Sequence, residues 1–312
     1  MPLVLTSLQY RSLGLTRAAA GLIAVVILAV AATVVTLTVL STRGSPSRTS
    51  LEPYALTASS EITTPVILSM TTSPQRLASI RQTLEHLYFK QTLRPDAIEL
   101  NLPHTFLRDN TTYDMSAVPF AGEPFLHVNR CEDLGPITKF VPTLRKYRDT
   151  QPEALIIVVD DDIQYPSTLV EELVRAARTH PGHLVTGHCL SGYYTLNRGH
   201  CDLLEGYMSY LLRPHLFDPA DFEPYLAVAL QSPSCFRGDD YVLSNYVLLR
   251  DIPVLKLDLP AVREVVPLVF GLQPDALHRQ VAVPERERYC ACYTDLVAMG
   301  VTAPLRTFCG SE

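Results

Sequence analysis

Apolar and polar positions divide the chain into three kinds of stretch. Residues 18–40 carry no charged side chain and no proline, and as a helix they would span roughly 34 Å, enough to cross a bilayer. Residues 41–63 turn to Ser, Thr, Arg and Pro with few large apolar side chains, the composition of a linker. From residue 64 onward, short apolar runs alternate with segments of helical periodicity, as in a folded α/β domain.

Within that domain, residues 65–70 read as a strand. Leu77, Ile80, Leu84 and Leu87 then recur at helical spacing, in a helix opened by Thr71-Thr72-Ser73-Pro74 and running to Tyr88. Residues 97–102 form the next strand after the turn at Arg94-Pro95-Asp96. Strand, helix, strand begins a right-handed parallel unit. After a loop-rich stretch at 103–130, Gly135 and Pro136 open a helical segment reaching Tyr147. A strand is expected at 155–159, a helix at 166–179, a strand at 183–189 and a helix at 239–249. The helix at 166–179 carries Glu171 and Glu172 early and Arg175 and Arg178 late, matching the helix dipole.

The run Leu155-Ile156-Ile157-Val158-Val159 lacks polar alternation, so it is expected to be buried on both faces of a parallel sheet. Asp160, Asp161 and Asp162 follow at once. Adjacent carboxylates at the end of a dry strand repel and are costly to desolvate unless a cation compensates. Oxygen ligands at the carboxyl end of a parallel strand suit Mg²⁺ or Mn²⁺ with substrate phosphates. On a still-extended chain Asp160 and Asp162 point the same way and Asp161 faces elsewhere. An aspartyl-nucleophile phosphotransferase would want a small hydroxyl residue where Gln164 stands, and no P-loop motif occurs.

The net charge of −6 over 312 residues, without a polybasic stripe, argues against a nucleic-acid partner. Seven cysteines leave one unpaired whatever the others do. None has zinc-site spacing; buried thiols are the expectation for most, with a bridge from Cys290 or Cys292 to Cys309 as an open alternative. Asn110-Thr111-Thr112 is an N-glycosylation acceptor triplet in a polar stretch. Arg11 and Arg17 before the apolar segment balance Arg43 and Arg48 after it. Orientation therefore rests on the short N-terminal tail, which favours a signal anchor with the bulk of the chain translocated.

The order of these elements resembles a GT-A glycosyltransferase of the family 2-like kind. The resemblance is carried by the anchor and stem, the segment Pro-Val-Ile-Leu-Ser-Met-Thr-Thr-Ser-Pro at 65–74, and the Asp-x-Asp at 160–162. Asp133-Leu134-Gly135-Pro136-Ile137-Thr138-Lys139 is similar to an Asp-x-Gly-Pro-x-x-Lys element beside the donor. Phe236-Arg237-Gly238-Asp239-Asp240 is similar to the acid pair of inverting members. The resemblance implies a Rossmann-like, mixed and mostly parallel sheet flanked by helices, with Mn²⁺ or Mg²⁺ and a nucleoside diphosphate sugar, a UDP-sugar first among them. It implies Asp160, Asp162 and His278 as metal ligands, and Thr71, Asp133, Gly135, Lys139 and Asp161 as donor contacts. Asp240 is implied as the base, with Asp239 as its fallback. Leu204-Glu205-Gly206-Tyr207 resembles the segment before an acceptor pocket, where Tyr193, Tyr194 and Tyr207 would stack on sugar faces. The chain has no tryptophan and no Gln/Arg-x-x-Arg-Trp after the second acid pair, a departure from the processive polysaccharide synthases.

The expected organisation is a cytoplasmic tail at 1–17, an anchor at 18–40, a stem at 41–63 and a catalytic domain at 64–312. That domain would stand in the Golgi or ER lumen and transfer a sugar to a glycan or glycoconjugate hydroxyl, inverting its configuration. A membrane-anchored metal-dependent phospho- or nucleotidyltransferase, and a catalytically silent lumenal binding protein of the same fold, are the alternatives.

Overall fold

A seven-stranded sheet runs in the order β3-β2-β1-β4-β8-β5-β9. The computed structural model describes residues 64–191, 201–259, 285–301 and 309. The strands are β1 (Val66–Thr71), β2 (Ala97–Pro103), β3 (Leu126–Cys131), β4 (Leu155–Val158), β5 (Leu184–Thr186), β8 (Tyr210–Leu212) and β9 (Val254–Lys256). β8 alone runs antiparallel, against both β4 and β5; every other pairing in this sheet is parallel. A separate antiparallel pair joins β6 (Cys189–Leu190) to β7 (Leu203–Leu204). This is a mixed, mostly parallel Rossmann-like α/β sheet.

The uninterrupted apolar runs of β1 and β4 follow from cover on both faces. Val66, Leu68, Met70, Leu155 and Ile157 pack into one cluster with α1 (Arg81–Phe89) and α3 (Leu169–Thr179). Ile67, Ile156 and Val158 point the other way. They join α2 (Val141–Arg148), α4 (Pro219–Ala229), α6 (Asp239–Leu249) and α7 (Glu285–Ala298), with Cys235 of the short α5 (Pro233–Phe236) in the same cluster. The described residues belong to one unit, Pro53–Glu312.

Several local expectations change. Thr71-Thr72-Ser73-Pro74 does not cap a helix: the chain makes a 3₁₀ turn at Leu77–Ile80 and enters the α-helix only at Arg81. Thr72 is spent elsewhere, its hydroxyl donating to Asp161 and its carbonyl accepting from Tyr113. The stretch at 103–130 contains β3, a half-buried edge strand whose polar residues hide its alternation. The expected strand at 183–189 is two strands in two sheets.

The cysteines are also corrected. They form three disulfides, Cys189–Cys201, Cys235–Cys292 and Cys290–Cys309, leaving Cys131 as the free thiol. Of the two bridges left open to Cys309, the one from Cys290 forms. The expected anchor at 18–40 and stem at 41–63, along with Tyr193, Tyr194 and His278, lie outside the described residues. Among those described, no helix is long and apolar enough to cross a membrane.

Candidate active site

The carboxyl ends of β1 and β4 open into a cleft of about 910 Å³. Thr71, Asp133, Gly135, Lys139, Asp160, Asp161, Asp162, Asp239 and Asp240 all line it, so every described residue of the expected site meets there. Seven carboxylates and five cationic side chains share this wall.

Lys139 is its centre. Its carbonyl accepts hydrogen bonds from Ser69 Oγ of β1 at 2.6 Å and from Asn101 Nδ2 of β2 at 3.3 Å, so two strands hold its backbone. Its Nζ lies 2.9 Å from Asp160 Oδ1 and 2.6 Å from Asp239 Oδ2. Burial works against the ammonium, but Asp160 and Asp239 outweigh it and hold its pKa above the ordinary lysine value. Asp239 Oδ2 is held by this contact with Lys139.

The acid triplet turns as β4 ends, and its members part company. Asp160 faces Lys139, whereas Asp161 and Asp162 share Arg76, whose Nη1 stands 2.7 Å and 3.1 Å from them. The extended-chain expectation, with Asp160 and Asp162 aligned and Asp161 turned away, therefore does not hold for these ion pairs. Asp161 is buried, bonded to Thr72, and holds Thr83 Oγ1 through its carbonyl at 2.9 Å. Burial pushes its carboxyl up to about 7, against Arg76, and Asp162 adds to the rise. Burial and then Asp160 raise Asp162 as well. Arg76 is the residue the sequence left unmarked: three positions after Ser73, it looks like any solvated cation on a helix.

The second acid pair opens α6. Gly238 precedes it because any side chain there would meet the Tyr241 ring, 2.2 Å from a built Cβ. Asp240 Oδ1 accepts the Gly206 N–H at 2.8 Å. Burial first, then Asp239, push the Asp240 carboxyl well above the carboxylate range, against the pull of Lys139. A Cβ on Gly206 would stand 2.4 Å from Lys139 Nζ and 2.9 Å from Asp240 Oδ1, so a side chain there would displace both groups.

Asp133 shapes the rim, accepting the Leu107 N–H at 2.7 Å and the Gly135 N–H at 2.8 Å. Gly135 has φ of 73°, and a Cβ would press on the Phe236 carbonyl at 2.1 Å. Both conditions demand glycine. Thr71 donates to the Asn101 carbonyl at 2.7 Å.

Asp160 and Asp162 each meet a protein cation through one oxygen, with side chains 26% and 20% exposed at the cleft. Among the described residues no group of three or more His, Cys, Asp or Glu side chains is set to hold a metal alone. Two carboxylates fit Mg²⁺ or Mn²⁺, which take one or two such ligands and fill the rest with water and substrate phosphates.

No protein-family model matches the chain, and no curated protein matches it. Among solved structures it is similar to the mannosyltransferase PcManGT from Pyrobaculum calidifontis in complex with GDP-Man and Mn²⁺, at 10% identity and TM-score 0.36, over 78% of this chain and 77% of that one. It is similar to the glycosyltransferase GlyE of Streptococcus pneumoniae TIGR4 at 12% identity and TM-score 0.36, over 78% and 66%. A 4-diphosphocytidyl-2C-methyl-D-erythritol synthase matches at 12% identity and TM-score 0.33, over 69% and 95%. Similarity at this level identifies no family, and the functional reading rests on the cleft's own residues.

Proposed function

We propose that this chain is a metal-dependent glycosyltransferase that moves a sugar from a nucleoside diphosphate sugar, with UDP-sugars first among donors, to a hydroxyl of a glycan or glycoconjugate. One observation carries the reading: Lys139 joins the acid triplet after β4 to the acid pair opening α6, inside one cleft. A single-displacement transfer needs both, one for the leaving diphosphate and one for the attacking hydroxyl.

In this reading Asp162 and Asp160 hold the metal, with His278 as a further ligand. A bound Mn²⁺ or Mg²⁺ would supply charge neutralisation for the leaving diphosphate. Lys139 keeps Asp160 and Asp239 in place and adds positive potential to that end of the cleft. Arg76 fixes Asp161 and Asp162, and Thr71, Asp133 and Gly135 shape the donor wall. Asp240, its Oδ1 oriented by the Gly206 N–H, takes the acceptor proton as the oxygen attacks, and Asp239 supports it. A base on the acceptor side of a single displacement inverts the anomeric centre.

The anchor at 18–40, the stem at 41–63 and the lumenal placement of 64–312 in Golgi or ER belong to the same proposal. Three disulfides suit an oxidising lumen. Asn110 is exposed on a turn closed by the Phe106 and Thr111 pairing, where an oligosaccharide could be attached.

The test is a donor screen on the purified full chain with Mn²⁺, reading the nucleotide product. Release of a nucleoside diphosphate supports sugar transfer. Monophosphate or pyrophosphate would point to phospho- or nucleotidyl transfer, and an inert chain that binds no nucleotide would point to a silent binding protein.

A further inference from the structure

Arg76 reaches the cleft from the connection between β1 and α1 and meets two acids with one nitrogen. Its backbone is pinned on both sides, the N–H donating to the Ser73 carbonyl at 3.1 Å and the carbonyl accepting from the Ser79 N–H at 2.8 Å. The two acids are not equivalent. Asp161 stands 2.7 Å from Nη1 with its side chain 7% exposed. Its second oxygen takes the Thr72 hydroxyl, and its carbonyl holds Thr83. Asp162 stands farther off, at 3.1 Å, with its side chain 20% exposed. Asp161 is thus the anchor of the guanidinium, and Asp162 is the partner it can give up.

Asp162 is also the carboxylate offered to the metal. Two cations on one carboxylate repel each other, more strongly at a partly buried site than in water. A doubly charged metal on Asp162 therefore works against Arg76. A diphosphate reverses the sign, because its oxygens bind a guanidinium fork and a metal at once.

We propose that Arg76 competes with the divalent metal for Asp162 and yields it when a diphosphate oxygen takes the place of Asp162 on Nη1; this rests on the metal-dependent reading of the cleft. The exchange replaces one acceptor of Nη1 by another and leaves Asp161 and the remaining contacts of Arg76 as they are. Metal alone is then held weakly. Metal and diphosphate each raise the affinity for the other, and Arg76 carries that coupling.

Binding to the full chain tests this without turnover. Mn²⁺ alone is followed by electron paramagnetic resonance, and the preformed Mn²⁺–pyrophosphate complex, which carries neither base nor sugar, by calorimetry. Arg76→Met should bind Mn²⁺ alone about tenfold more tightly than the native chain, and Mn²⁺–pyrophosphate about tenfold more weakly. Arg76→Lys, which keeps a charge on a shorter arm without the fork, should fall between the two in both measurements. Circular dichroism checks that each variant folds. A residue that only held the loop together would weaken both kinds of binding when replaced, so the opposite signs are what the proposal requires. Mn²⁺ bound no more tightly by Arg76→Met than by the native chain, or Mn²⁺–pyrophosphate bound as tightly, would overturn it; should Arg76→Met not fold, the same results in Arg76→Lys would do so. The expected pair of shifts in a chain that releases no nucleoside diphosphate from any sugar donor would instead retain the role of Arg76 and overturn the glycosyl-transfer reading.

Discussion

Lys139 Nζ and Asp239 Oδ2 lie 2.6 Å apart with side chains only 7% and 10% exposed, so the segment after β3 and the start of α6 are clamped by a nearly dry ion pair. Lys139 holds Asp160 from its other side. A buried pair need not add stability over apolar packing, but removing one partner strands the other charge.

Lys139→Met should therefore lower stability by about 3 kcal/mol, the cost of leaving buried carboxylates unpaired. Urea unfolding at neutral pH measures it. An unchanged midpoint would mean that Asp160 and Asp239 do not depend on this ammonium.

Gly206→Ala should act on the site more than on the fold. The added methyl would lie 2.4 Å from Lys139 Nζ and 2.9 Å from Asp240 Oδ1, and both are side-chain ends that move aside. Displacing a catalytic carboxylate by about 1 Å costs on the order of a hundredfold in rate. Turnover should fall by that much, with the far-ultraviolet circular dichroism spectrum retained; native turnover in this variant would separate Asp240 from catalysis.

Gly135→Ala is the converse case. The obstacle is the Phe236 carbonyl, at 2.1 Å from the built Cβ, and φ is 73°. Backbone cannot step aside as a side chain does, so a loss of roughly 2–4 kcal/mol is expected, read by thermal or urea unfolding against the native chain.

Glu99 provides a pH test away from the cleft. Its side chain is wholly buried on β2 and takes hydrogen bonds from Lys146, His127, Asn129 and Tyr147. Burial raises its carboxyl, but these bonds more than offset it and hold the folded pKa below the ordinary value. The network's stability is then present above about pH 4.3, the unfolded carboxylate value, and is lost as pH falls through the lower folded one. Glu99→Gln should cost roughly 2 kcal/mol at neutral pH and flatten the acid limb of the stability curve. An acid limb identical to the native one would refute the assignment.

Some of this was legible in the sequence for clear physical reasons. The helix at Asp239–Leu249 was legible to the residue because two acids fill its first turn. β4 was found because cover on both faces leaves an unbroken apolar run. The strands Tyr210–Leu212 and Val254–Lys256 have three residues each, too few to show a period, so the antiparallel β8 and β9 stayed hidden, while Leu184–Thr186 was legible only as part of a longer strand. Disulfide partners are set by three-dimensional approach, as with Cys235 and Cys292, which spacing does not report. The acids of the cleft were readable one by one. Their sorting onto Lys139 and Arg76 was not, because it depends on how the chain turns after Val159.

The most direct measurement is nucleoside diphosphate release from a panel of sugar donors by the native chain and its Asp162→Asn variant, each with and without Mn²⁺. The account predicts Mn²⁺-dependent release by the native chain and at least a hundredfold less by Asp162→Asn, a loss of about 3 kcal/mol in transition-state stabilisation. Full activity in Asp162→Asn, or no release from any donor by the native chain, would contradict it.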